Sequence, residues 1–110
     1  MDGAKLIDVD GIRTRYFERG EGQPLVLVHG GNPGSYWSAE DWAPNLDGLA
    51  AAGFRVIAVD KIGCGYTDNP PRDEDYVMGS SVAHVAGFIR ALGLGPVHLV
   101  GHSQIGRAHV

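Results

Sequence analysis

The sequence predicts an α/β fold, in which an antiparallel opening hairpin leads into parallel strands alternating with helices, as in a doubly wound sheet. Three observations carry this. Lys5 to Val9 and Ile12 to Arg19 alternate apolar and polar residues and are joined by Asp10-Gly11, a dipeptide suited to a two-residue hairpin turn. Leu25 to Val28 is continuously apolar and Arg55 to Val59 nearly so, as strands covered on both faces are. Helical stretches separate and follow these runs, so the order is strand, helix, strand, helix, strand.

Each element has its own signal. Gly20-Glu21-Gly22-Gln23-Pro24 breaks the alternation and parts the hairpin from the first parallel strand. After Val28 comes His29-Gly30-Gly31-Asn32-Pro33-Gly34, a loop whose composition frees the backbone to turn N–H groups toward a ligand. It matches neither G-x-G-x-x-G nor the lysine-bearing P-loop spacing, which sets nucleotide binding aside. Ser38 to Ala52 reads as a helix in two pieces, interrupted by Pro44 and closed by Gly53, with Tyr36, Trp37 and Trp42 as packing aromatics. The strand from Arg55 ends at Asp60, and Gly63 to Asp68 forms a tight loop before the Asn69-Pro70-Pro71 break. Ser80 to Leu92 is the next helix, with Val82, Val85, Phe88, Ile89 and Leu92 on one apolar face. Gly93 and Gly95 end it, and Pro96 leads into the strand before Ser103.

At 110 residues, 44% hydrophobic and with a net charge of −4, the chain is sized for one modest core. Its mild acidity gives no reason to expect a nucleic-acid or membrane partner. Cys64 is the single cysteine and cannot form an internal disulfide; it reads as a small packing residue. Without an apolar leader at the N-terminus, a reducing cytoplasm is the expected location, and no stretch approaches transmembrane length.

Chemistry concentrates in Val97 to Gln104. An apolar run meets Gly-x-Ser and turns into a helix, which puts Ser103 on a sharp strand-to-helix corner with its hydroxyl in the open. The positions two before and two after such a serine are normally glycine, because strand and helix crowd there. Gly101 meets the requirement and Ile105 does not. A serine in this place also serves as a helix N-cap. Convergence favours the nucleophile: successive strands end in His29, Asp60 and the Gly101-His102-Ser103 corner, and ligands of such sheets collect outside the carboxyl ends of the strands. Among the five histidines, His29 is expected to brace its own loop, His84 and His98 to be structural, and His102 to point away from Ser103.

Leu27-Val28-His29-Gly30-Gly31, the run Arg55 to Pro70 and Leu99 to Gln104 together resemble the N-terminal half of an α/β-hydrolase, over nearly the whole chain. Asn32-Pro33-Gly34-Ser35 and Gly65 to Pro70 are most similar to the hydrolases that split carbon–carbon bonds in ring meta-cleavage products, in loops that related esterases share. The resemblance implies Ser103 as nucleophile and an oxyanion hole from the backbone N–H groups of Gly31 and Gln104, with Asn32 as a further candidate. Gly101, His29 and Gly30 then support the site. A small-molecule carbonyl substrate is implied, cleaved at an ester or carbon–carbon bond, with no cofactor and no metal; oligomerisation of a full-length parent is left open. The family places its acid and its histidine after the nucleophile, so both are expected beyond residue 110, and the 110 residues alone are expected to be inactive. Asp60 as an unusual acid is a minor alternative, since its place in the chain does not match. An aspartate at position 103 would have meant a dehalogenase or epoxide hydrolase. A non-catalytic or differently catalytic member of the fold, for example of perhydrolase or haloperoxidase type, is the rival class.

Ile105 to Val110 is the translation of ATC GGA AGA GCA CAC GTC, the start of a commonly used sequencing adapter, whose preceding AG completes a CAG codon for Gln104. Residues 1–104 are therefore expected to form a truncated core domain and 105–110 a non-native tail, which accounts for Ile105.

Overall fold

A computed structural model of the chain describes residues 3–31, 33–34, 36–72, 74 and 78–101. Strands β1 (Lys5–Val9) and β2 (Ile12–Arg19) form the expected antiparallel hairpin, Val9 opposite Ile12. Asp10 and Gly11 both take positive φ, 50° and 88°, which is what a type I′ turn requires, and the Gly11 N–H donates to the Asp8 carboxylate at 3.1 Å. Then follow β3 (Gln23–Val28), a 3₁₀ turn (Ala39–Trp42), α1 (Ala43–Ala51), β4 (Phe54–Val59), α2 (Met78–Ala91) and β5 (His98–Gly101). The sheet order is β1-β2-β4-β3-β5. β2 meets β4 antiparallel, and β3 lies between β4 and β5, parallel to both.

β3 starts two residues before the apolar run and includes Pro24. Pro24 lies opposite Arg55 of β4, while β5 begins pairing only at Leu25, opposite His98, so the missing N–H removes no bond from the β5 ladder. The segment after β3 breaks in two as expected. Ser38 caps the 3₁₀ turn, its hydroxyl accepting from the Glu40 N–H while the Asp41 carboxylate accepts from the Ser38 N–H, each at 3.2 Å. Pro44 sits in the first turn of α1, where its missing N–H has no intrahelical partner to lose.

Period-two alternation sorts the strands into two faces. Phe17, Leu25, Leu27, Val56 and Ala58 pack with Leu46 of α1 on one side. Tyr16, Val26, Val28, Ile57 and Val59 pack with Val85 and Phe88 of α2 on the other, where the Tyr16 and Phe88 rings meet edge to face at 5.3 Å. Among the described residues β5 pairs with β3 alone, and Leu99 and Val100 are exposed. Two expectations need correction. Trp42 packs against the α1-side core, but Tyr36 and Trp37 are exposed, because they lie on a loop beyond the end of β3 where that core has already closed. His98 is exposed as well, edge-on to Phe54 at 6.2 Å.

Asp60, fully buried at the end of β4, gathers the surrounding loops. Its Oδ2 accepts from Arg15 Nε at 2.6 Å and from the Tyr66 N–H at 3.0 Å, and its Oδ1 accepts from the Ala39 N–H at 2.7 Å. A buried carboxylate needs this saturation, since one left unpaired would cost several kcal/mol. Arg15 in turn reaches Glu40 at 3.0 Å and lies over the Tyr66 and Phe17 rings. Gly65 lets the loop close on the carboxylate: its φ is 55°, and a Cβ there would collide with Asp60.

His84 of α2 performs a similar service one step further along. Its Nδ1 accepts the Ile62 N–H at 3.0 Å, so the ring proton sits on Nε2, 2.8 Å from Thr14 Oγ1, which donates to Ile12 O. Burial pushes its pKa down to about 4.

Asp60→Asn leaves Arg15 buried without the counter-charge at its Nε, and we expect a loss on the order of 3 kcal/mol in urea unfolding; a loss below about 1 kcal/mol would show that the fold does not depend on the pair. For His84 the unfolded chain binds a proton near pH 6.5 that the fold refuses until about pH 4. Its stabilisation is therefore intact above pH 6.5 and is lost as pH falls toward 4, by an amount on the order of 3 kcal/mol. His84→Gln should lessen the slope of that stretch of the stability profile, the remainder belonging to His29, whose pKa is likewise pushed down to about 4, and an unchanged slope would show that His84 contributes none of the loss.

Candidate active site

Val28 pairs with Val59 on one side and with Gly101 on the other, so β4, β3 and β5 end level with one another. His29, Asp60 and Gly101 consequently lie at one edge of the sheet. Because β3 is the middle strand of the three, the loop beginning at His29 adjoins both neighbours. The loop and the segment after β4 are stitched together by the Gly34 N–H, which donates to Gly63 O at 2.8 Å.

Beneath the loop sits a closed set of hydrogen bonds. His29 is buried; its Nε2 accepts the Lys61 N–H at 3.0 Å, which leaves the proton on Nδ1 to bond Gly30 O at 2.7 Å. Burial, assisted by the nearby Lys61 charge, pushes its pKa down to about 4, so the ring is neutral at physiological pH. The Lys61 ammonium donates to Gly31 O, and burial lowers its pKa from the ordinary lysine value. Gly31 itself takes φ 86°, which favours glycine. In a trans peptide the N–H lies opposite the C=O, so with Gly30 O turned to His29 the Gly31 N–H faces away from that ring.

The structure brings His29, Gly30, Gly31 and Gly101 to the same sheet edge, and His29 braces its own loop as expected. Asn32, His102, Ser103 and Gln104 lie outside the described residues, as do Ile105 to Val110. Asp60 is committed to Arg15 and two backbone N–H groups. Cys64 is buried, in keeping with a packing role. Among the described residues no group of three or more His, Cys, Asp or Glu side chains could hold a metal, and no helix is long and apolar enough to cross a membrane. Sequence reasoning missed Arg15 and Lys61. Both read locally as solvated charges, and only the placement of Lys61 beside the strand-end Asp60 hinted otherwise.

Residues 23–106 match the family model described as alpha/beta hydrolase fold. The chain is 38% identical over 103 residues to 2-hydroxy-6-oxo-6-(2'-aminophenyl)hexa-2,4-dienoic acid hydrolase of Metapseudomonas resinovorans, covering 93% of this chain and 34% of that protein. It superimposes on a meta-cleavage product hydrolase from Pseudomonas fluorescens with a TM-score of 0.78 at 39% identity, covering 90% of this chain and 35% of the other. An epoxide hydrolase from Vigna radiata gives a TM-score of 0.81 at 29% identity, covering 91% and 31%. The chain thus spans about a third of the length of these relatives. With its mixed sheet, level strand ends and a family match across most of its length, the chain belongs to the α/β-hydrolase fold family.

Proposed function

We propose that this chain carries the nucleophile and oxyanion loop of a serine hydrolase acting on a small-molecule carbonyl substrate. The observation that carries the reading is the shared edge: the Gly31 loop leaves β3 directly beside β5, whose last residue, Gly101, stands two positions before Ser103 in the sequence. In this reading the Ser103 hydroxyl passes its proton to a histidine as its oxygen bonds the carbonyl carbon. The oxyanion that forms is met by backbone N–H groups of Gly31 and Gln104, with Asn32 as a further donor, each worth ~3 kcal/mol in a dry site. Collapse of the adduct breaks the bond to the oxygen or carbon leaving group, which takes the proton back from the histidine, and a water that the same histidine deprotonates then attacks the acyl carbon and frees the serine, which recovers that proton.

The base is expected outside these 110 residues. His29 and His84 have both ring nitrogens engaged, and His98 stands at the opposite end of β5 from Gly101. The chain alone should therefore be catalytically silent. Its similarity to meta-cleavage product hydrolases favours carbon–carbon bond hydrolysis, with ester hydrolysis as the nearest variant. The serine at position 103, where the family resemblance would give an epoxide hydrolase an aspartate, argues against that chemistry. Ile105 would crowd the corner; we read 105–110 as a non-native tail appended to a core of 1–104.

In the full-length enzyme a fluorophosphonate probe should label Ser103, located by mass spectrometry, and residues 1–110 alone should take up no label. Labelling that survives Ser103→Ala would refute the assignment. Gly31→Pro deletes the proposed donor, and turnover should fall by at least ~100-fold; undiminished turnover would remove Gly31 from the site.

A further inference from the structure

We infer that Lys61 is a positioning residue of this site: its buried ammonium holds the oxyanion loop from beneath by the carbonyl of Gly31. The inference rests on the serine-hydrolase reading above. Lys61 is only 2% exposed, and its Nζ donates to Gly31 O. Its backbone N–H donates to His29 Nε2, and His29 in turn holds Gly30 O. Two consecutive carbonyls of the loop are thus tied to one residue, the first through an imidazole and the second directly. The proposed donor, the Gly31 N–H, shares a planar peptide with Gly30 O, so the bond from His29 to that oxygen sets its direction, while the Lys61 ammonium holds the other side of Gly31 by its own carbonyl and keeps that residue from rotating.

The anchor is itself held. Lys61 follows Asp60, the most heavily bonded residue of this edge, and its own carbonyl accepts the Cys64 N–H at 3.0 Å. Among the described residues its ammonium makes no ion pair. A buried cation with no ion pair among the described residues is a poor device for stability, and a methionine would fill the same volume with no desolvation cost. What an ammonium offers over methionine is a strong donor aimed at one carbonyl, which also polarises the loop to which it is bonded. Since it touches Gly31 O and not the reacting atoms, Lys61 positions and does not catalyse.

The test separates geometry from stability. In the full-length enzyme, Lys61→Met is measured for kcat, KM, Tm and inhibition by phenylboronic acid, whose tetrahedral adduct on a serine imitates the oxyanion. A positioning role predicts kcat lower by about ten- to a hundredfold, boronate affinity lower by a similar factor, KM within about twofold, and Tm unchanged or raised. Lys61→Gln keeps an N–H donor on the stem and should retain more kcat than Lys61→Met. An unchanged kcat in Lys61→Met overturns the proposal. So does a chain that fails to fold or melts lower with kcat per folded molecule intact, or a Lys61→Gln no better than Lys61→Met. A wild type that the boronic acid does not inhibit, with Ser103 unlabelled by fluorophosphonate, removes the serine reading and this proposal with it. A wild type inhibited normally and matched by Lys61→Met overturns the proposal alone.

Discussion

A carboxylate buried at the end of a central strand is the constraint to which the carboxyl edge of this sheet conforms. Asp60 has no solvent to share its charge, so three separate parts of the chain come to it: Arg15 from β2, the Ala39 N–H from the 3₁₀ turn and the Tyr66 N–H from the loop after β4. The sheet runs β2-β4-β3 at this point, and those loops would otherwise be free to splay apart. Meeting one charge fixes three backbone segments at once. The level edge at which β3, β4 and β5 end, and from which the His29 loop emerges, is a by-product of that electrostatic demand.

What could be read in the sequence was what local physics decides. Asp10-Gly11 announces its turn because few residues accept two successive positive φ angles, and the strands announce themselves by alternation or by continuous apolar runs. Pro44 divides its segment for equally local reasons. Burial against distant neighbours was not legible. Tyr36 and Trp37 are large and aromatic and so read as core, but no core extends to their loop. Arg15 stands in an alternating strand where it reads as solvent-facing, yet its partner is 45 residues away in the chain. Lys61 was overlooked for the same reason: a lysine after a strand looks like a surface charge until the loop from β3 is laid across it. His29 and His84 were rightly expected to be structural; that both would be spent on the backbone after β4 was beyond a one-dimensional reading.

The fold leaves the chemistry to a few positions, and the relatives illustrate this. Proteins named for carbon–carbon bond cleavage and for epoxide opening superimpose on the same strands with similar TM-scores. The shared sheet therefore does not by itself fix the chemistry, which differs between relatives that superimpose on the same strands.

The histidines of this chain also carry a lesson about remote influence. His29, from the end of β3, and His84, from the middle of α2, accept the N–H groups of Lys61 and Ile62, which are consecutive in the chain. Two peptide units are therefore all that separates the outer helix from the loop of the candidate site. Amino-acid replacements along α2 that shift His84 have a short mechanical route to the bond that orients Gly30, without altering any residue a substrate could touch. Sequence drift on the back of this molecule is thus a means of adjusting its front.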